Sequence, residues 1–306
     1  LKRRSKLTKM VKIPLLSFKK VYNFGNYLAI TPPYSFQKSK GYGFRCYVIV
    51  AGIVSVIAEL WSVCYRSEVI SSFRTSVRVS DVINEVTLFG TYLTIKLDLG
   101  LRKNNEWKNL LKLIHYLNKN LSNKNDENSV MKFLTIQIVV GHLFYFLATF
   151  YQWFALITTA GITLDFAGTY VVHTLSCYNV MYVIILMNTI LFTLETKYKN
   201  LNNSFQLILT QKFLCYDVNK KNVGVIREVD FFFRKLEDCV DVFNTLFGNV
   251  VIMKLTNIVI NVIVMINVSF LSSSLGPHDY DISTKDVLVS NVLATCFTMV
   301  CIVGLK

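Results

Sequence analysis

The sequence is poor in charged residues, in proline and in paired cysteines. Only 17% of its 306 residues are charged, 53% are hydrophobic and the mean hydropathy is +0.42. A soluble domain usually carries about 25% charged residues, so this composition argues against a soluble fold. The four prolines lie outside the long apolar runs. Secondary transporters often place ion sites at helices broken by glycine and proline, and no run here shows such a break.

Signatures of enzymes, metalloproteins and nucleic-acid-binding proteins are also missing. The seven cysteines form no CxxC pair, and there is no HExxH helix and no pair of catalytic aspartates. We therefore expect no catalytic residue, metal, cofactor or disulfide framework. The net charge of +14 does not indicate a nucleic acid partner, because the basic residues lie between the apolar runs and follow no zinc-finger or RNA-binding pattern.

The chain does contain long apolar runs, and a helix needs about 20 such residues to cross the hydrocarbon core of a bilayer. We predict an all-α, polytopic transmembrane helix bundle whose first partner is the lipid bilayer. Six spans are predicted, at residues 46–65, 82–101, 133–160, 166–194, 246–271 and 287–304.

The positions of lysine and arginine predict the orientation. Eleven precede the first span, and the successive connections carry three, seven, none, eight and one. Cytoplasmic loops are enriched in these residues, so we place the N-terminus in the cytoplasm. The chain then divides into a basic cytoplasmic segment (1–45), spans one to four (46–194), a cytoplasmic helical region (195–245) and the last two spans (246–306).

Two stretches of the cytoplasmic region have helical periodicity, at 194–213 and 222–247. We expect them to extend spans four and five into the cytoplasm and to pack against each other or a neighbouring chain. In the alternative they lie on the membrane surface. The polar, low-complexity stretch 117–129 predicts a disordered loop.

Ionisable side chains inside spans have structural interpretations. Lys96 and Lys254 lie near the inner ends of spans two and five, where a long stem lets the amine reach the cytoplasm. His142 lies in the middle of span three and is expected to form hydrogen bonds within the bundle. Carboxylates near the outer ends of the first two spans are expected to pair with arginines, and the candidates are Glu59, Glu85, Arg66 and Arg74.

Four spans carry polar stripes in their outer halves. Residues spaced at i, i+3 or i+4, and i+7 share one helix face, and such a face turns inward because lipid offers polar groups no partner. The stripes are Asn84, Thr87 and Thr91; Tyr145, Thr149 and Gln152; Tyr170, His173 and Cys177; and Asn291, Thr295 and Thr298. Trp153 adds an aromatic wall. Any one of these residues can form a hydrogen bond between helices, but together the stripes favour a ligand pocket.

Two stretches, LFTLETKYKNLNNSF at 191–205 and LEDCVDVFNTLFGNVVIMKL at 236–255, resemble the insect gustatory receptors. That family shows a Leu-Asn pair after its fourth helix, here Leu201 and Asn202. It shows an Asn followed by Phe-Gly before its fifth helix, here Asn244, Phe247 and Gly248. The family's Thr-Tyr…Gln-Phe signature in a seventh helix is absent, so we expect a fragment or truncated product that lacks this helix.

The resemblance implies a tastant-gated, non-selective cation channel made of four identical or different subunits. The tastant, a small molecule, would bind in the outer half of the bundle, and the cytoplasmic ends of helices four to seven would form a shared anchor. The chain as given should hold the pocket and part of the anchor but should not conduct. The alternatives are an insect odorant receptor of the same architecture, a small-solute transporter, or a structural membrane protein without a ligand.

Overall fold

The computed structural model describes residues 16–33, 42–70, 75–121, 124–159, 164–212 and 219–274. All regular structure within these ranges is helical. The helices are α1 (Leu16–Tyr27), α2 (Tyr42–Ile70), α3 (Thr75–Thr94), α4 (Asn104–Leu121), α5 (Lys124–Thr159), α6 (Leu164–Lys212) and α7 (Asn219–Ser274). A π-helical segment, Ile95–Arg102, continues α3.

Four helices are long and apolar enough to cross a membrane. Their apolar segments are Tyr42–Cys64, Asn128–Tyr151, Val171–Leu207 and Ile226–Ile263. They coincide with the first, third, fourth and fifth predicted spans, and they confirm a polytopic helical membrane protein. The segment that corresponds to the fifth predicted span begins 20 residues earlier than predicted. Span two corresponds to α3 and the π-helical segment, which are not among the four. Span six lies outside the described residues.

Helix α6 lies at the centre of the bundle. In its apolar segment 72% of the residues are buried within the protein, against 17% in α2 and 11% in α5. Helices α2 and α5 therefore present most of their apolar surface outward, where lipid can cover it. Helix α6 contacts α2, α3, α5 and α7, so a side chain on α6 can meet partners from every direction.

The two longest helices exceed the thickness of a bilayer. Helix α6 has 49 residues and α7 has 56, which gives lengths of about 73 Å and 84 Å at 1.5 Å per residue. The hydrocarbon core is only about 30 Å thick. Both stretches predicted to be helical extensions lie in these helices as far as they are described, and they contact each other where the rings of Tyr198 and Phe233 meet edge to face at 5.8 Å.

Helix α4 corrects one prediction. The disordered loop expected at 117–129 is wrong for the part of that stretch that is described, because 117–121 end α4 and 124–129 begin α5. Five apolar residues of α4 recur at helical spacing and are buried: Trp107, Leu110, Leu111, Ile114 and Leu117. Most of this apolar face precedes residue 117, so the polar stretch taken alone does not indicate that its first residues end a helix.

Helix α1 packs against α6, the central helix of the bundle. The turn that follows α1 contains Ala29, which has a positive φ of 55°, and the N–H of Ile30 donates to the carbonyl of Gly25 at 2.9 Å. A left-handed residue in this position is a common helix ending. The hydroxyl of Tyr182 on α6 donates to the carbonyl of Val21, so α1 is held to the central helix through its backbone.

Lys96 does not extend toward the cytoplasm, and that prediction is wrong. Its side chain is buried and its Nζ donates to the carbonyl of Leu28, just after α1. The same Nζ lies 3.1 Å from Oδ1 of Asn179 on α6. The carbonyls at a helix end have no partner within the helix, which explains why a buried amine is accommodated here. Lys254 is half-buried and donates to Asn257 on its own helix at 3.2 Å.

Candidate functional site

Helix α3 presents two polar faces, and the predicted stripe occupies only one of them. Thr91 is fully buried and donates to the carbonyl of Thr87 at 2.8 Å. The hydroxyl of Thr87 accepts a hydrogen bond from Nδ2 of Asn257 on α7 at 3.2 Å. Asn84, at the other end of the stripe, is half-buried, and its carbonyl accepts a hydrogen bond from Thr87 at 2.9 Å. The stripe on α3 therefore faces α7.

The second polar face of α3 carries Glu85, which meets the α6 stripe. Its two carboxylate oxygens lie 2.8 Å and 3.1 Å from Nδ1 of His173. The side chain of Glu85 is 5% exposed and that of His173 is 13% exposed, so this pair lies within the bundle. On the other side of the imidazole ring, Sγ of Cys177 lies 3.6 Å from Nε2. The side chains of Arg66 and Arg74 lie outside the described part of the structure.

Helices α5 and α6 are joined by tyrosine and histidine. The hydroxyl of Tyr145 donates to the carbonyl of Thr174 at 2.9 Å, and its ring packs edge to face on Tyr178 at 5.2 Å. The imidazole of His142 lies 3.1 Å from the Tyr178 hydroxyl. These contacts confirm the prediction that His142 forms hydrogen bonds within the bundle.

The remaining candidates are partly described. Thr149 is half-buried and lies one helical turn after Tyr145 on α5. Trp153 is half-buried, and its indole N–H is buried without a hydrogen-bond partner among the described residues. Gln152 belongs to α5 and Tyr170 to α6, but the side chains of both lie outside the described part of the structure. Asn291 and Thr295 lie outside it altogether.

The α6 stripe thus meets α3 at Glu85 and α5 beside Tyr178, whereas the α3 stripe faces Asn257 of α7. Sequence reasoning missed these three as site residues. Asn257 and Asn261 are buried at i, i+4 spacing on α7, so the stripe criterion would have found them if it had been applied to span five. Such groups can exchange hydrogen bonds with a polar ligand. The described residues include no group of three or more side chains able to hold a metal ion.

The family motif near the start of span five lies at the other end of the bundle. Phe247 is fully buried and its ring meets Trp107 of α4 edge to face at 5.5 Å. The ring of Tyr22 also packs edge to face on Trp107, at 5.4 Å, and the indole N–H donates to the carbonyl of Leu99 in the π-helical segment at 3.1 Å. The motif phenylalanine therefore joins α1, α4 and α7.

The other motif residues differ in their surroundings. Leu201 is buried in the contact between α6 and its neighbours, and Asn202 is half-buried. Asn244 is exposed. Gly248 is half-buried, and a methyl group added to it would meet no atom within 4 Å, so no close packing within the described chain requires glycine there.

Comparison with known proteins gives two results. No curated protein matches the chain in a search of such sequences. The model of the 7tm chemosensory receptor family matches residues 18–305, a range that includes the polar region between α3, α5 and α6 and both short motifs. The chain belongs to the 7tm chemosensory receptor family.

Proposed function

We propose that this chemosensory receptor is a gustatory receptor subunit that binds a small tastant in the polar region between α3, α5 and α6 and opens a non-selective cation channel. The subunit would act in the plasma membrane as part of a homo- or heterotetramer, with its N-terminus in the cytoplasm. The Leu201 and Asn202 pair and the Asn244, Phe247 and Gly248 motif support the gustatory branch. The reaction is binding and gating rather than catalysis.

The observation that carries the proposal is the buried contact between Glu85 and His173. Two ionisable groups inside an apolar bundle are costly and are functional candidates by default. His173 also lies next to the thiol of Cys177, and the adjacent residue Tyr178 packs on Tyr145 of α5. A ligand that brings hydroxyl or amino groups can exchange hydrogen bonds with these side chains while its apolar part packs on the aromatic rings.

Gating follows if the tastant binds the open conformation better than the closed one. A ligand shifts a conformational equilibrium only by its difference in affinity for the two states. Because Glu85 and His173 lie on different helices, a ligand that reaches between them favours one relative position of α3 and α6. The inner ends of both helices lead into the cluster around Trp107, which includes the motif phenylalanine.

Whole-cell recording from cells that express the complete reading frame tests the channel, using a panel of sugars, alkaloids and amino acids as agonists. We expect at least one agonist to evoke a cation current. The variants His173→Gln and Gln152→Leu should shift its dose-response curve to about tenfold higher concentration, whereas His115→Gln, at an exposed position on α4, should leave it unchanged. Intact responses in both pocket variants would remove the proposed ligand site, and a complete lack of current would remove the channel.

Glycosylation tests the proposed orientation separately. Asn120 and Asn202 each begin an Asn-X-Ser acceptor sequence, and both lie in segments proposed to be cytoplasmic. A receptor expressed in cells should therefore carry no glycan at either position, as judged by its mobility before and after glycosidase treatment. A glycan at either asparagine would place that segment in the lumen and reverse the orientation.

A further inference from the structure

A large cavity lies between α5, α6 and α7, away from the proposed tastant site. Its volume is about 980 Å³, and it is lined by Phe133 and by one face each of α6 (188–199) and α7 (230–240). Along α6, Asn188 lies 15 residues beyond His173, which corresponds to about 22 Å at 1.5 Å per residue. The cavity is therefore a separate site, and in the proposed orientation it lies at the cytoplasmic end of the bundle.

The interior of the cavity is mainly aromatic and aliphatic. The rings of Phe133 and Phe192 stack at 4.1 Å between centroids, and the rings of Tyr198 and Phe233, which contact each other, form a second wall. One polar group, the amide of Asn188, is buried among them at 3% exposure. Ligand sites for small organic molecules have this combination of volume, apolar lining and a few placed polar groups.

The charged groups at the opening carry an excess of negative charge. Lys199 pairs with Glu195 at 2.6 Å, and Arg234 pairs with Asp230 at 3.1 Å. Glu237 also lines the cavity and forms no ion pair with any other residue of the described chain. Two cations and three carboxylates leave the opening with one net negative charge, so an anionic ligand is disfavoured and a single positive charge is complemented.

We propose that this cavity binds an amphipathic organic amine, with its apolar or aromatic body against Phe133 and Phe192 and its protonated amine near Glu237. Aromatic faces attract cations as well as apolar surface, so the wall formed by Tyr198 and Phe233 stabilises the amine on its way into the cavity. The ligand would reach the site from the cytoplasm or the inner leaflet, which makes it a second ligand site of the receptor, independent of the tastant.

Three probes of similar length and different charge test the proposal: 4-phenylbutylamine, 4-phenylbutanol and 4-phenylbutanoate. Saturation-transfer NMR on the purified chain in lipid nanodiscs, with empty nanodiscs subtracted to remove partition into lipid, measures their binding. We expect the amine to bind at least fivefold more tightly than the alcohol and the carboxylate to bind most weakly. Equal binding of all three, or no binding above empty nanodiscs, would overturn the proposal.

Two pairs of variants locate the bound amine. Glu237→Lys should weaken amine binding about three- to tenfold, whereas Asp241→Lys, one turn along α7 and outside the lining, should not. Val240→Trp should fill the cavity and abolish binding, whereas Val251→Trp, an exposed position on the same helix, should preserve it. If the site variants bind as well as their controls, the amine lies elsewhere and the proposal is wrong.

Discussion

The side-chain amide of Asn249 on α7 donates a hydrogen bond of 2.6 Å to the carboxylate of Asp98 in the π-helical segment. The same carboxylate lies 3.6 Å from Nζ of Lys103, which donates to the carbonyl of Leu246 at 3.1 Å. The π-helical segment is thus bound to α7 on both sides of the motif residue Phe247. Segments of π-helix are rare and frequently occur at functional sites.

Substitutions at Asp98 and Asn249 should be coupled. We expect Asn249→Ala to lower the free energy of unfolding by about 1.5–3 kcal/mol, because it removes a hydrogen bond to a largely buried carboxylate. When Asp98→Ala is already present, adding Asn249→Ala should change the free energy of unfolding very little. Denaturant titration of the four variants in detergent measures the coupling. Asn244→Ala, at an exposed position on the same helix, is the control, and additive costs at Asp98 and Asn249 would contradict the contact.

The π-helical segment also approaches the end of α1 so closely that only glycine fits. A Cβ added to Gly100 would lie 2.7 Å from the carbonyl oxygen of Ala29 and 3.1 Å from a methyl group of Val48. Because a backbone oxygen cannot move away as a flexible side chain can, we expect Gly100→Ala to cost about 1–3 kcal/mol. The matched control is Gly248→Ala, whose new methyl group meets nothing within 4 Å.

The apparent melting temperature of the purified variants, followed by size-exclusion chromatography after heating, separates the two outcomes. Gly248→Ala should melt at or slightly above the temperature of the unchanged chain, since alanine favours a helix over glycine. Gly100→Ala should melt several degrees lower. Equal melting temperatures would mean that α1 is not held against this segment.

Hydrophobic runs and helical spacing predicted the parts of the fold that depend on neighbours along the chain. The apolar runs predicted α2, α5, α6 and α7, and the periodicity of 222–247 predicted that α7 begins well before its span. His142 was predicted to form hydrogen bonds because a polar ring in an apolar helix has to find a partner within the bundle. The family was indicated by Leu201, Asn202 and the Phe-Gly motif and is confirmed by the family match.

Contacts between distant segments were beyond this reasoning. The amine of Lys96 was predicted to reach the cytoplasm. Its observed acceptor is the carbonyl of Leu28, which lies 68 residues away in sequence and just after the end of α1. His173 likewise meets a carboxylate that is 88 residues away in sequence. A single sequence gives the face of a helix on which a group lies but not the helix opposite that face.

The contact between Lys96 and the end of α1 predicts a local effect on backbone dynamics. Lys96→Met keeps the length of the side chain and removes the donor to Leu28 and Asn179. Left without that donor, α1 should separate more often from the bundle, so backbone amides in residues 16–33 should exchange with deuterium at least tenfold faster, while those in α5 are unaffected.

Lys254→Met is the control for this experiment, because the described contact of Lys254 is with Asn257 on its own helix. Its effect should be confined to α7. If Lys96→Met and Lys254→Met give the same exchange pattern in residues 16–33, the buried amine of Lys96 has no role in holding α1.

The buried pair of Glu85 and His173 predicts that two substitutions are less harmful than one. Glu85→Leu leaves the imidazole without its carboxylate in the bundle, and a buried polar group that loses its hydrogen-bond partner typically costs about 1–3 kcal/mol. The double variant Glu85→Leu and His173→Leu removes both polar groups and should recover most of that stability, because leucine packs well among apolar helices. Denaturant titration in detergent measures the unfolding of Glu85→Leu, of His173→Leu and of the double variant. The tastant response should nevertheless be lost in all three, since each lacks part of the proposed ligand site. Costs that simply add, or a double variant that still responds, would show that the two residues act separately.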